Sequence, residues 1–318
     1  MRISIVIATR NRHSMLEQSV PAMLAQDFPP HEILIVDTTP AKWEKPIADK
    51  RVRYYWLPDG APNRNWQRNF GISRAAGDIV VMPDDDILPS RVWLSELAAE
   101  YADANVGAVG GRVIEGPDIP VFKTNQVSTI GWWGQVEGDF RAITPGPVEV
   151  PHLKGCNISF RADLLKTIGG YDERIDGWAM RDETDLCMRI ANEGYKIIYT
   201  PAAVVEHFGF SLWTSRDLRI EPARTAYSGA KTTTYFVFRN LGFGPGIIWM
   251  AYTTIRPVAQ LAKALVRLIP RPFLSFAGVI AGAVQAALPR RHDGLQTSDV
   301  PQSSHQIHAT EQTVAADL

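Results

Sequence analysis

The chain has 318 residues, 45% apolar and 21% charged, with a formal net charge of −1, an ordinary globular composition with enough apolar material for one large domain or two smaller ones. Its two cysteines, Cys156 and Cys187, exclude a disulfide framework and a CxxC metal knuckle and suit a reducing, cytosolic compartment. The opening "MRISIVIATRNRH" lacks the layout of a signal peptide, because its apolar run is about one strand long and no small-residue cleavage site follows.

"ISIVIA" (3–8) is short, β-branched and apolar throughout, which predicts a buried strand. "SMLEQSVPAMLAQ" has helical spacing through Met15, Leu16, Met23 and Leu24. "EILIVDTT" predicts a second buried strand closed by Asp37, and "VRYYWL" a third. "NWQRNFGISRAAG" predicts a helix ending at Gly77, followed by the strand "DIVVM". "RVWLSELAAEYAD" predicts a helix, "VGAVGGRVI" a strand, and residues 116 to 150 a loop region rich in Gly, Pro and Trp. "GCNISFR" predicts a strand, "ADLLKTIGG" a helix with a glycine stop, "DETDLCMRIANEGY" an acidic-headed helix, and "KIIYTPAAVVEHFG" short strands. Fully apolar strands alternating with helices predict a mostly parallel α/β sheet covered on both faces. Ligands of such sheets bind beyond the carboxyl ends of the strands, which singles out Thr9, Arg10, Asp37 and Asp84 to Asp86.

In "VVMPDDDILP" three adjacent carboxylates follow a buried strand. They repel one another unless a cation joins them. Asp84 and Asp86, alternate in the run, can approach one hard divalent ion that also bridges a diphosphate; the alternative is a solvated turn. "RDETDL" supplies Asp182, Glu183 and Asp185, which serve either as a helix-start acidic cluster that suits the dipole or as a functional group. His207 follows a strand, where an ordinary packed or surface role is the alternative to ligation.

"ISIVIATRNR", "ILIVDTTP", "RNFGISRAAGDIVVMPDDDILP", "GCNISFRADLLKTIGGYDERI" and "DETDLCMRIANEGYKIIYTPAAVVEH" occur in this order. Together they resemble glycosyltransferase family 2 over roughly residues 2 to 210. The resemblance implies a GT-A, Rossmann-like fold, a nucleotide-diphosphate sugar donor, Mn²⁺ or Mg²⁺ as cofactor, and inversion at the anomeric carbon. It implies that Ala8, Thr9 and Arg10 line the nucleotide pocket and that Asp37 contacts base or ribose. Asp84 to Asp86 correspond to the DxD element, with Asp86 the direct metal ligand, Asp84 at ribose or metal and Asp85 on the donor side. His207 corresponds to a late metal or diphosphate contact, and Glu183 to the catalytic base. Asn69 and Asp78 fit the lead-in to the DxD, in a packing or a ligand role. The sequence departs from the family pattern at Ala8, where proline is common, and at Thr38, where a second Asp or Asn is common. The usual Glu-Asp pair is reversed to Asp182-Glu183, which leaves Asp182 as a rival base. On the acceptor side the resemblance and the composition point to Trp132, Trp133, Gly155, Cys156 and Asn157; the Trp pair could equally be packing anchors, and Cys156 reads as a small buried residue.

From Pro222 to His292 there is no Asp or Glu but nine Arg and Lys, which leaves the rest of the chain at −10. "TIRPVAQLAKALVRLI" places Arg256, Gln260, Lys263 and Arg267 on one helical face and Val258, Leu261, Ala262, Leu265 and Ile269 on the other, the pattern of a helix lying in a membrane interface. "PFLSFAGVIAGAVQAAL" is uncharged over about the lower limit for spanning a bilayer. The expected organisation is therefore a catalytic domain over 1–212, a basic helical extension over 213–288 and a disordered tail over 289–318. The expected partners are a nucleotide-sugar donor, a glycan or lipid-linked acceptor and an anionic membrane surface, with no nucleic acid, at the inner face of the cell membrane. Two other functions compete: a catalytically inactive glycan- or lipid-binding protein on the same scaffold, and a sugar nucleotidyltransferase. The second would need a glycine-rich phosphate loop, and "ATRNRH" has no glycine.

Overall fold

The computed structural model describes residues 1–58, 63–115, 126–175, 181–208, 222–264 and 271–287, with the side chains of 222–225 and 256–274 outside the description. The expected tail, 289–318, and the start of the expected extension, 213–221, lie outside the described residues.

The core is a nine-stranded mixed sheet. Its first half is parallel: β1 (Ile3–Thr9), β2 (Glu32–Asp37), β3 (Val52–Trp56) and β4 (Ile79–Val81) lie in the order β3-β2-β1-β4. These strands are the continuous β-branched runs of the sequence, and Ile3, Ile5, Val6, Ile7, Leu34, Ile35, Val80 and Val81 are completely buried. The sheet continues through β10 (Ile158–Arg161), β6 (Val106–Ile114), β11 (Lys196–His207) and β5 (Ile87–Pro89). Here β6 and β11 are parallel, while β10, β5 and the short β9 (Val148–Glu149) run against their neighbours.

β11 is one twelve-residue strand rather than the short strands expected from the sequence. Register shifts at Lys196/Ile197 and between Thr200 and Val205 let it pass Pro201 without losing its partner. β5 was hidden by its length and its proline. Within the expected loop region, β7 (Ser128–Ile130) and β8 (Val136–Gly138) form a separate hairpin.

Helices cover the sheet: α1 (His13–Leu24), α2 (Arg64–Arg74), α3 (Trp93–Glu100), α4 (Ala162–Ile168) and α5 (Asp182–Asn192). α2 lies against β1 and β2 so closely that a Cβ on Gly71 would meet Val6 Cγ1 at 2.2 Å. The chain ends in three further helices, α6 (Pro222–Leu241), α7 (Phe243–Ala264) and α8 (Arg271–Ala287), which pack on one another and, through α6, on α5. Gly134, in the β7–β8 turn, has φ 99°, and a Cβ there would meet Val237 Cγ2 at 2.3 Å, so the hairpin is seated directly on α6. Among the described residues no helix is long and apolar enough to cross a membrane. At about 1.5 Å per residue, the 17 residues of α8 rise roughly 26 Å, short of a hydrocarbon core of ~30 Å.

Two registers place the site. Thr9 pairs with Asp37 and Asp37 with Trp56, so β1, β2 and β3 end level. His207 pairs with Ile87, which sets the imidazole beside Asp86 although the two are 121 residues apart.

Candidate active site

The three aspartates follow β4 and turn back across the end of β1. Asp85 and Asp86 are buried and Asp84 is half-buried. Asp85 accepts a hydrogen bond from Thr9 Oγ1 at 2.6 Å and an ion pair from Arg12 at 3.0 Å. Asp86 is held between Arg12 Nη1 at 2.7 Å and His207 Nε2 at 3.0 Å. Burial alone would lower His207, but its contacts with Asp86 and Glu115 outweigh burial and push it up to about 9. Burial raises Asp85 to about 6; Arg12 opposes this, and the neighbouring charges of Asp86 and Asp84 add to it.

Asp84, Asp86 and His207 each offer one ligand atom, and these atoms lie within 4.8 Å of one another. Two carboxylate oxygens and one imidazole nitrogen are a donor set that suits a first-row divalent ion such as Mn²⁺. The residues present therefore fit the expected metal.

A second carboxylate group lies across Arg68. This arginine is buried on α2, with Nη1 2.6 Å from Asp182 Oδ2, Nη2 3.5 Å from Asp84 Oδ1, and its guanidinium 4.9 Å from the centre of the Tyr171 ring. Arg64 approaches the same oxygen of Asp182 at 3.7 Å. Asp182 opens α5 immediately after Arg181, whose φ of 82° is a left-handed conformation costing a non-glycine residue ~1–2 kcal/mol. Burial would raise Asp182, but a hydrogen bond from Glu183 and the charges of Arg68 and Arg64 bring it below the ordinary carboxylate range. Glu183 goes the other way: burial and the charge of Asp182 lift it well above that range. The pair is therefore asymmetric, with the proton affinity of Glu183 raised and that of Asp182 lowered. Asp182 is completely buried, whereas Glu183 is half-exposed. Gly155 faces the Glu183 carboxyl, its Cβ position 3.5 Å from Cδ.

The other sequence-selected residues fall as follows. Ala8 is half-buried and Arg10 exposed at the end of β1. Asp37 is completely buried, accepting from Tyr54 Oη at 2.6 Å, Thr39 N at 2.8 Å and the Thr39 hydroxyl, with His13 Nε2 at 2.7 Å. The His13 ring stacks on Trp43, centroids 5.2 Å apart, so an aromatic wall stands beside Asp37. Asn69 donates to Tyr171 O and Glu173 and accepts from Tyr171 N, all inside the protein. Asp78 lies at the amino end of β4, away from the site, bound to Arg2. Asn157 donates to Arg112 O and Ala203 O and accepts from Trp93 Nε1, tying three segments together. Cys156 is buried, and burial raises its thiol well above the ordinary value, so it is no thiolate. The tryptophan pair splits. Trp132 is 69% exposed, whereas Trp133 packs edge-on to Tyr252 at 4.8 Å and against Trp249 at 6.0 Å on α7.

Arg12, Arg68, Glu115 and Lys154 hold this site together and were not selected from the sequence. Arg68 had a signal: "NRNWQRN" opens a helix that must cover two fully apolar strands, yet Asn65, Gln67, Arg68 and Asn69 are buried there. Arg12 stood two residues beyond the arginine that was selected. Glu115 and Lys154 carry no local signal, because their meaning depends on the pairing of β6 with β11.

A glycosyl transferase family 2 model matches residues 4–169. A glucosyl-dolichyl phosphate glucuronosyltransferase of Haloferax volcanii is 29% identical over 229 residues, covering 68% of this chain and 72% of that protein. Among solved structures, GalNAc-T7 with UDP, GalNAc and Mn²⁺ superposes with a TM-score of 0.52 at 16% identity, over 74% of this chain and 51% of that one. The mannosyltransferase PcManGT of Pyrobaculum calidifontis, in complex with GDP-Man and Mn²⁺, gives 0.50 at 18% identity, over 90% and 86%. At these identities the structural likeness is one of fold, the GT-A fold.

Proposed function

Because the chain belongs to glycosyl transferase family 2 and is a glycosyltransferase, we propose that it inverts configuration while moving a sugar from a nucleoside-diphosphate donor to a hydroxyl of a lipid-linked or cell-envelope glycan. One observation carries this reading: the single guanidinium of Arg68 spans Asp84 and Asp182, so the metal-competent carboxylates and the Asp182-Glu183 pair sit on either side of one buried side chain.

Asp84, Asp86 and His207 would hold the divalent ion, and the imidazole in the set favours Mn²⁺ over Mg²⁺. When bound, that ion supplies positive charge against the departing diphosphate. Arg12 keeps Asp85 and Asp86 together at the donor end, and the aromatic wall of His13 and Trp43 beside Asp37 offers a surface for the base. Glu183 takes the proton of the acceptor hydroxyl. Its raised proton affinity makes it a stronger base once ionised, and Asp182, clamped by Arg68 and Arg64, supplies the neighbouring charge that raises it. A single base with in-line attack inverts the anomeric centre without a second nucleophilic carboxylate.

Glu183→Gln should lower kcat by ~10²–10⁴-fold while nucleotide-sugar affinity stays near the wild-type value. Turnover within tenfold of wild type would remove Glu183 from the role and leave Asp182 as the base.

Attachment to an anionic bilayer at the cytoplasmic face is part of the same proposal. Phe243, Ile247, Ile248, Tyr252 and Ile255 on α7, and Phe276, Ile280 and Val284 on α8, are exposed large apolar side chains, with Trp132 close to α7 through its neighbour Trp133. Residues 222 to 292 carry no acidic group to oppose anionic lipid. The Haloferax volcanii relative is named for a glucosyl-dolichyl phosphate substrate, a lipid-linked sugar.

A further inference from the structure

His207 has two ring nitrogens in different surroundings. Nε2 meets Asp86 at 3.0 Å, on the side of the metal-competent carboxylates. Nδ1 faces Glu115, with Oε1 at 3.6 Å. The sheet makes this second contact: β6 and β11 run parallel with Ile114 beside Glu206, so Glu115, just past the end of β6, and His207, the last residue of β11, lie side by side. Lys154, from the segment that carries Gly155, closes on the same Glu115 carboxylate oxygen.

These are not surface charges. The side chains of His207 and Glu115 are 11% and 16% exposed. Glu115 is thus enclosed between the imidazole of His207 and the ammonium of Lys154. A cavity of about 290 Å³, lined by Val113, Glu115, Asp139, Phe140, Arg141 and Lys154, borders the far side of the contact. Glu115 borders that polar space, and His207 is not among its lining residues.

A histidine that binds a metal through one nitrogen is ordinarily steered by an acceptor on the other, which fixes its tautomer and its ring plane. We propose that Glu115, with Lys154 as counter-ion, is the positioning residue of His207: it holds the Nδ1 proton and aims Nε2 at the Asp84–Asp86 side. This rests on the metal reading of the preceding section and adds to it a residue that touches neither donor nor acceptor.

The test is Mn²⁺ binding to the purified full chain without sugar donor. Calorimetry gives the affinity, and electron spin echo modulation reports an imidazole nitrogen on the ion. Glu115→Ala should weaken Mn²⁺ by roughly 10–100-fold and reduce the nitrogen modulation, whereas Glu115→Gln, which keeps an acceptor at Nδ1, should stay close to wild type. If the alanine variant does not fold, Glu115→Asp, one methylene short, replaces it and should also lose affinity. Wild-type affinity and modulation in a folded Glu115→Ala or Glu115→Asp chain would overturn the assignment while leaving the metal site intact. Mn²⁺ binding that ignores Asp86→Ala and His207→Ala would overturn the metal site, and this inference with it.

Discussion

Replacing Arg68 by methionine tests the central ion pair. Arg68 and Asp182 are 4% and 0% exposed, and their charged atoms are 2.6 Å apart. Methionine is close in length but removes the guanidinium from the Tyr171 ring and from Asp84, and leaves the Asp182 carboxylate with Arg64, at 3.7 Å, and its hydrogen bonds from Glu183. Asp182 Oδ1 has no hydrogen-bond partner even in the intact protein, so no second cation stands ready on that oxygen. Removing one partner of a buried pair costs ~3–5 kcal/mol, and Arg64 holds the expected loss to the lower end, about 3 kcal/mol. With a urea m-value of ~3 kcal/mol/M, that is a midpoint shift of about 1 M in unfolding followed by circular dichroism. The cost is that of an orphaned charge, not of a missing attraction. The double variant Arg68→Met/Asp182→Leu should therefore regain more than half of it. A single variant within about 1 kcal/mol of wild type, or a double variant no better than the single, would refute this account of the pair.

Three further outcomes are expected. The acid limb of kcat/KM should lie above the ordinary glutamate value of ~4.3, with rate rising with pH, because the base must be ionised and Glu183 is lifted by burial and by Asp182; a limb at the ordinary value contradicts it. Asp85, raised to about 6, binds its proton more tightly folded than unfolded, so its stabilisation is full below ~3.9 and is lost as pH rises through about 6. Wild-type stability relative to Asp85→Asn should accordingly fall by up to about 3 kcal/mol across that window and level off above it, and a constant difference in urea titrations would rule this out. The full-length chain should float with anionic liposomes at low salt and release as salt rises; a chain left in the bottom fraction at low salt is not attached in this way.

Much of the fold was legible because burial was written locally. β1, β2 and β4 are unbroken apolar runs, and a strand buried on both faces has no other composition available to it. The strand-end rule then led to Thr9, Asp37 and the aspartate run without any knowledge of neighbours. His207 and Glu183 came from motif order, not from their surroundings. Illegible were the residues whose role is a distance to a remote segment. Glu115 is an unremarkable acid until Ile114 pairs with Glu206, and Arg12 differs from Arg10 only in which way the chain turns after β1. Asn157 was read as an acceptor contact because its motif is near the cleft, while the fold spends its amide on Trp93, Arg112 and Ala203.

The closing helices do more than cover the molecule. Tyr235 Oη reaches Asp172 Oδ2 at 2.6 Å, Gln285 Nε2 reaches Arg174 O at 2.6 Å, and Asn240 Nδ2 reaches Asp185 Oδ1 at 2.9 Å, one turn along the helix from Asp182. Asp172 O in turn receives Asn65 from the helix of Arg68. The closing helices and the Asp182-Glu183 pair are thus parts of a single piece of architecture. A truncation of the closing helices would also pull the brace from under α5, and substitutions there would be felt at Asp182 and Glu183.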